Sequence, residues 1–224
     1  MEVAHDAGRQ ASPGWTLITE TLWAYYTTLL RQWLEMGEVG FRLDFCNADR
    51  RIIEQSSECR VSAATAFAAL TDPAYLRNWI AENATVELRV GGRYSLGWGA
   101  EGTDGPGRIV RLQPGRSLGY SWFEGGRLTE VDWLVEDLGN RCRIILRHGD
   151  FTDHPHQHLG CSLGWADWIN VLWLYLREFR DMRAWRGSAR LRSGDGRLGP
   201  CGGHFARCAR GPTGNEPRRG LRCR

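Results

Sequence analysis

One short stretch of the sequence concentrates several side chains that could bind a metal ion. Its members carry an imidazole, a carboxylate or a thiol, and they are His148, Asp150, Asp153, His154, His156, His158 and Cys161. Such groups are suitable ligands for zinc. However, the run HPHQH reproduces no known catalytic spacing, and Pro155 stiffens its middle. The pattern therefore favours a solvated loop between the last strand and a helix, and we predict no metal site.

No enzyme motif with its required context is visible elsewhere. The sequence contains no Walker loop and no HExxH motif. The pairs Gly91-Gly92 and Gly125-Gly126 lack the strand, loop and helix context that cradles phosphate, so they predict turns. No nucleophile–base pair stands out. We therefore assign no catalytic residue and no cofactor, and the sequence favours a protein that is not an enzyme.

The basic charge of the chain is concentrated at one end. All 29 basic residues are Arg, and the net charge is +3. Residues 1–185 carry a net charge of −5, whereas residues 186–224, with ten Arg and two acids, carry +8. This tail has neither helical periodicity nor aromatic residues interleaved for base stacking. We predict a disordered extension, and no nucleic-acid partner.

The cysteines and the apolar runs bear on the compartment. The seven cysteines form no CxxC, and no signal peptide precedes them, which predicts reduced thiols in the cytoplasm. Two amphipathic runs approach the length of a membrane span. Glu20 and Arg31 interrupt the first, and Asp167 and Arg177 interrupt the second. We therefore predict no membrane insertion.

Two amphipathic helices are predicted, one early and one late. The late helix lies within 160–185, and Asp167 and Asn170 fall off its apolar stripe. That stripe consists of Trp165, Trp168, Ile169, Leu172, Tyr175, Leu176 and Phe179. The early helix lies within 14–36, and Gly37 is its expected stop. Its stripe consists of Trp15, Ile18, Leu22, Tyr25, Leu29 and Trp33.

The two helices share a pattern at a constant offset of 150 residues. Gly14-Trp15, Leu22-Trp23 and Tyr25 correspond to Gly164-Trp165, Leu172-Trp173 and Tyr175. This repetition predicts that the early helix derives from the closing helix of an upstream copy of the same domain. The alternative is convergence between two helices that are both rich in tryptophan.

Between these helices the apolar period changes to two. Ser62 is positioned to cap a short helix that Pro73 stops, and a second short helix follows. From residue 84 to residue 148, short alternating segments are separated by turn signals, which predicts an antiparallel sheet of about six or seven strands. Because the helices precede and follow the sheet instead of alternating with its strands, the class is α+β.

Several of these segments resemble a known family. The run AFAALTDPAYLRNWI (66–80) is similar to the helical signature of the SRPBCC superfamily, in the group named after the activator of heat-shock-protein ATPase homologue. The matching positions are Phe67, Ala69, Leu70, Thr71, Asp72, Pro73 and Trp79. The turn Gly91-Gly92-Arg93-Tyr94, the strand from Gly107, Pro114 with Leu118, and Gly164-Trp165 follow in the expected order. The resemblance covers about residues 50–182.

The resemblance implies a helix-grip fold of the START and birch-pollen-allergen type. In that fold a curved antiparallel sheet wraps around a long C-terminal helix, two short helices follow the first strand, and a cavity lies between sheet and helix. The chain departs from the family pattern where VSAATAF lacks a Pro and where Val90 stands in place of one. The predicted organisation is an N-terminal extension at 1–45, a helix-grip domain at 46–185 and a tail at 186–224.

Strand alternation and the family together predict a ligand site between sheet and helix. Its lining would comprise Tyr94, Leu96, Trp98, Tyr120, Trp122, Trp133, Leu146, His148, Trp165, Trp168 and Leu172. Such an apolar site suits a small hydrophobic or aromatic ligand, although the same side chains could instead fill the core. The predicted function is ligand binding or a stress-associated role, by a monomer or homodimer. The alternatives are a pocket enzyme of the polyketide cyclase or hydrolase kind and an interaction module for a heat-shock chaperone ATPase.

Overall fold

The computed structural model describes residues 13–45, 51–81, 83–98, 105–124, 126–152 and 155–178. The predicted disordered tail and the predicted end of the late helix, 179–185, lie outside these residues. The division of the chain into three parts stays a prediction.

The helices lie at both ends of the described chain and after the first strand. They are α1 (Pro13–Met36), α2 (Ala63–Thr71), α3 (Pro73–Trp79) and α4 (Pro155–Glu178). Ser62 caps α2 by accepting a hydrogen bond from the Thr65 backbone N–H at 3.2 Å, as predicted. Asp72 caps α3 in the same way through the Ala74 N–H at 2.7 Å, with Pro73 in the first turn. The Leu-Thr-Asp-Pro run therefore ends one helix and begins the next.

The strands are β1 (Ile53–Cys59), β2 (Thr85–Val86), β3 (Tyr94–Ser95), β4 (Gly105–Gln113), β5 (Ser117–Glu124), β6 (Arg127–Asp137) and β7 (Cys142–Gly149). Five of them form one antiparallel sheet in the order β1-β7-β6-β5-β4, and β2 pairs with β3. The first strand thus lies beside the last, with Ile53 opposite His148 and Cys59 opposite Cys142. The α+β class predicted from the order of elements is confirmed.

The alternation of Val86, Leu88 and Val90 predicts a strand through residue 90, but the strand in the structure is much shorter. β2 ends at Val86, and Leu88 and Val90 are exposed. The chain turns instead, because the Arg89 N–H bonds to the Glu87 carbonyl at 2.7 Å and the Gly92 N–H to the Arg89 carbonyl at 2.9 Å. A Cβ atom on Gly92 would lie 2.1 Å from the Glu87 carbonyl oxygen, so this turn requires glycine.

Helix α4 is buried on all sides between the sheet and α1. Every residue from 160 to 176 is buried. One face packs on the sheet, and α1 runs parallel to α4 on the other face, where Ile18 and Tyr25 pack with Leu163 and Ala166. Among the described residues the molecule therefore has three layers in the order sheet, α4 and α1.

The polar residues that fall off the apolar stripe of α4 are buried under α1. Thr28 Oγ1 donates to Asp167 Oδ1 at 2.6 Å, and Gln32 Nε2 donates to the Asn170 carbonyl at 3.0 Å. Asn170 pairs with the backbone of Phe41, accepting from its N–H at 2.8 Å and donating to its carbonyl at 3.0 Å. These contacts satisfy polar groups that burial would otherwise leave unpaired.

Candidate functional site

The predicted ligand-lining residues come from five elements and meet in one layer. Tyr94 lies in β3 with Leu96 and Trp98 just after it, Tyr120 and Trp122 in β5, Trp133 in β6, Leu146 and His148 in β7, and Trp165, Trp168 and Leu172 in α4. Ten of the eleven are buried, and Trp98 is partly buried. The sequence therefore placed these side chains on the correct faces, while their role towards a ligand stays a prediction.

The middle of this layer is a continuous set of aromatic rings. The rings of Tyr94 and Tyr120 are stacked, with centroids 4.5 Å apart. Trp165 of α4 lies 5.2 Å from Trp122 and 5.8 Å from Trp133, the second contact being edge-on. Offset and edge-on contacts of this kind are the favoured arrangements of aromatic pairs. The aromatic side chains of the sheet and of α4 therefore hold the two layers together.

Trp98 forms the outer edge of the aromatic layer. Its ring stacks on Trp168 at 5.7 Å and meets Trp122 edge-on at 6.1 Å. Its indole N–H donates to the Ile80 carbonyl at 3.1 Å. Trp168 in turn meets Trp79 of α3 edge-on at 6.3 Å. Trp98 is thus both part of the layer and accessible from outside.

Polar atoms on the buried rings bind to other protein groups. Trp133 Nε1 donates to the Tyr120 hydroxyl at 3.0 Å, and the Tyr94 hydroxyl donates to the Leu70 carbonyl at 2.8 Å. Burial raises the pKa of Tyr94 well above its ordinary value, so this hydroxyl stays protonated. These hydrogen bonds therefore fix the positions of the rings.

His148 is fully buried, and both of its ring nitrogens are engaged. Trp165 Nε1 donates to Nδ1 at 2.9 Å, so Nε2 carries the proton and donates to Thr129 Oγ1 at 2.9 Å. The Thr129 hydroxyl then donates to the Trp122 carbonyl at 3.2 Å. Burial, aided by Arg127 and His158, lowers the pKa of His148 to about 3. The imidazole is therefore a neutral connector between α4, β6 and β5.

Sequence reasoning missed Gln55 on the inner face of β1. Gln55 Nε2 donates to the Ser162 carbonyl at 2.7 Å, while Oε1 has no hydrogen-bond partner. Ser57, two residues on, donates to the Gly40 carbonyl at 2.8 Å. Alternation from Ile53 to Cys59 would have placed both polar residues inward. That signal was overlooked because polar residues are usually assigned to the outer face.

The candidate metal-binding residues near residue 150 are only partly described, and those that are do not converge. His148 is in the core, whereas Asp150 is exposed and accepts a hydrogen bond from the Thr152 N–H at 2.8 Å. The His158 ring packs edge-on against Phe151 at 5.6 Å. Within the described ranges no group of three such side chains could hold a metal ion. Asp153 and His154 lie outside those ranges, as does the side chain of His156.

The expected solvated loop is shorter than predicted, because α4 begins at Pro155. His158 is therefore a helical residue.

The spacing GxSxG occurs twice, at Ser117 and Ser162. A nucleophilic serine with that spacing belongs on a sharp turn from strand to helix. Ser117 instead begins β5, and Ser162 is buried inside α4, so neither is presented as a nucleophile.

A curved antiparallel sheet packed around a long, buried C-terminal helix defines the helix-grip class of proteins. The chain belongs to the family described as Activator of Hsp90 ATPase homolog 1-like protein, whose model matches residues 60–177. This confirms the family that the motifs between residues 66 and 165 indicated. The matched segment runs from the residue after β1 to the last turn of α4, and it leaves α1 and β1 outside.

Solved structures share this fold at low sequence identity. DynU16, from the dynemicin biosynthetic locus, is 15% identical with a TM-score of 0.52, and the match covers 60% of this chain and half of DynU16. SSP2350 from Staphylococcus saprophyticus is 19% identical (TM-score 0.51; coverage 59% and 96%). The Aha1 dimer from Colwellia psychrerythraea is 17% identical (TM-score 0.50; coverage 57% and 96%). A comparison with curated protein sequences found no match. None of the described helices is long and apolar enough to cross a membrane.

Proposed function

We propose that this protein binds a small, flat, uncharged and largely apolar molecule between the sheet and α4, next to Trp98. The observation that carries the proposal is the partial exposure of Trp98 at the edge of an otherwise buried aromatic layer. A flat ligand can stack on the indole faces there, in the offset geometry that aromatic rings favour. Displacing Trp98 costs less buried contact than displacing any of the fully buried rings.

The scarcity of charged side chains among the buried described residues supports an uncharged ligand. Among the buried described residues, the only Asp, Glu, Arg or His side chains are those of Asp167 and His148. Asp167 faces α1 and not the aromatic layer. A charged ligand would therefore lose its hydration without gaining an ion pair. His148 is neutral, and both of its nitrogens are engaged, so it is not available as a general base. The proposed role is binding without catalysis.

The test uses an uncharged fluorescent probe, 1-N-phenylnaphthylamine, with the full-length chain. We expect saturable binding that Trp98→Ala weakens at least about tenfold, which corresponds to about 1.4 kcal/mol. Trp23→Ala is the matched control, because Trp23 is an exposed indole on α1, away from the sheet. Native mass spectrometry of the purified protein should in addition reveal a co-purified small molecule.

Two outcomes would contradict the proposal. A folded wild-type chain that binds no probe would mean that the aromatic side chains fill the interior. Loss of probe binding in Trp23→Ala, with Trp98→Ala unaffected, would place the apolar site on the surface of α1. In both cases the melting temperature of each variant shows whether the fold is intact.

A second candidate function is contact with a heat-shock chaperone ATPase, which the family description supports. The direct test adds the purified chain to an Hsp90 preparation and measures ATP hydrolysis. A dose-dependent increase in the rate would favour this role. An unchanged rate, together with no co-sedimentation, would remove it.

A further inference from the structure

Helix α1 is apolar on two faces, and only one of them is covered by the described part of the chain. The inner face packs on α4 through Ile18 and Tyr25. The outer face carries a set of large side chains that we call the outer stripe. It consists of Trp23 (65% exposed), Tyr26 (44%), Leu30 (57%), Trp33 (55%) and Leu34 (74%). The sequence pattern assigned Trp33 to the same apolar stripe as Ile18 and Tyr25, and this assignment is wrong, because Trp33 lies on the outer face.

The spacing of the outer stripe is that of a seam between helices. Positions 23, 26, 30 and 33 are separated by three, four and three residues, the alternation found at the a and d positions of helix pairs. Such a row runs along one side of a helix and fits the corresponding row of another helix. A helix is therefore the partner that this geometry suits.

The size of the outer stripe also fits an interface. A large aromatic side chain offers roughly 150–250 Å² of surface. The exposed fractions then leave roughly 600 Å² of apolar surface on the five residues, at the upper end of patches on monomeric proteins. Phe45, 45% exposed, extends the patch, because its ring stacks on Tyr26 at 6.5 Å. A standard interface buries about 800 Å² on each partner, so this stripe can form the centre of one.

Charge on α1 also permits an identical partner. The five residues of the outer stripe are all uncharged. Beside them, Arg31 Nε and Glu35 Oε1 pair within the same helix at 2.7 Å. A two-fold axis brings the same surface of two copies together, so like charges at its centre would repel. Here none is present.

We propose that the outer stripe is the contact surface of a homodimer, in which the α1 helices of two copies pack against each other near Leu30. In the dimer, α1 is covered on both faces, and each molecule contributes its sheet, α4 and α1 as successive layers. This proposal is independent of ligand binding, because the aromatic layer lies on the opposite side of α4.

The test measures the mass of the full-length chain in solution by sedimentation over a wide range of concentrations. We expect a dimer whose dissociation constant rises at least about a hundredfold in Leu30→Glu/Trp33→Glu, since the two-fold axis brings the new charges together. Leu128→Glu is the control, because Leu128 is 70% exposed on β6, away from α1. It should leave the dissociation constant unchanged. Circular dichroism checks the fold, and Leu34→Arg serves as a second variant.

Three results would overturn the proposal. A wild-type chain that is monomeric at every concentration would show that no second copy binds, and that the stripe is covered by another part of the chain or another partner. A dimer that persists in the folded stripe variants would use a different surface. Equal weakening by Leu128→Glu would show that the effect is not specific to α1.

Discussion

At the scale of single residues, His148 shows how a titratable group can serve the fold. Its ring joins Trp165 on α4 to Thr129 on β6, and this requires a neutral imidazole with its proton on Nε2. A protonated ring would direct a second N–H towards the indole N–H of Trp165. Protonation of His148 therefore destabilises the aromatic layer.

This requirement predicts a loss of stability in acid. The unfolded chain takes up a proton on this residue near pH 6.5, whereas the folded chain does so only near the lowered pKa of about 3. The unfolded state therefore binds more protons between these values, and stability falls as the pH decreases through this window. From pH 7 to pH 4.5 the contribution is about 2–3 kcal/mol. Urea denaturation at the two pH values measures it.

The comparison variant for this measurement is His148→Gln, which lacks the titrating group. Its free energy of unfolding should fall less than that of the wild type over the same interval. Carboxylates such as Glu58, whose pKa is lowered by a hydrogen bond from Arg143, contribute to acid sensitivity in both proteins. Identical pH dependence in the two proteins would mean that His148 titrates normally.

At the scale of elements, α4 is the helix that the sheet grips, and Leu172 tests that role. Leu172 is fully buried in the main core cluster. Leu172→Ala should lower the free energy of unfolding by about 2–5 kcal/mol, because it leaves a cavity between packed layers. Leu128→Ala, on the exposed side of β6, should change it by less than about 0.5 kcal/mol. Equal effects in the two variants would show that α4 does not hold the sheet.

The strands and helices that could be predicted correctly are those whose sequence pattern depends on residues close together in the chain. The alternation in β6 and β7 correctly placed Val131, Trp133 and Ile144 on the inner face. Ser62 and Gly37 marked helix ends through bonds to nearby backbone groups. The shortening of β2 was missed, because a turn from Glu87 to Gly92 overrode a pattern that alternates equally well as a strand.

The burial of Asp167 and Asn170 could not be predicted, because it depends on partners that are distant in sequence. Asp167 and Asn170 are polar, so their pattern indicates a solvated face, yet their partners on α1 are 139 and 138 residues away. For the candidate site, alternation and family resemblance predicted eleven inward-facing positions, of which ten are buried and Trp98 is partly buried, while their role in lining a ligand site stays a prediction. Alternation and resemblance could not supply the hydrogen bonds of His148 or the unpaired oxygen of Gln55, because these depend on how α4 sits against β1 and β7.

At the scale of the whole molecule, polar contacts join α4 to α1 and to the segment that follows α1. Asn170 acts as a backbone mimic, because it both donates to and accepts from Phe41 and also donates to the Ala166 carbonyl at 2.7 Å. Asn170→Ala should cost about 2–4 kcal/mol, since it leaves the Phe41 backbone groups unpaired.

Asn78→Ala is the matched control for this substitution. The hydrogen bond from the Asn78 amide to the Tyr175 hydroxyl is long, at 3.5 Å, and therefore weak. Its loss of stability should be below about 1 kcal/mol. Hydrogen exchange of the Phe41 amide should also become faster in Asn170→Ala while the amides of β6 stay protected. If the Asn170 and Asn78 variants lose the same stability, the linker after α1 is not held by Asn170.

The parallel packing of α1 on α4 also has a consequence for the newly made chain. Residues that bond across this contact, such as Thr28 and Asp167, are separated by 139 positions. At about 5–20 residues per second, α1 leaves the ribosome on the order of ten seconds before α4 exists. During that interval the inner apolar face of α1 lacks its partner from α4. Until the last helix is complete, nascent chains of this protein therefore expose the inner face of α1 in addition to its outer stripe, which makes them more prone to aggregation than the finished chain.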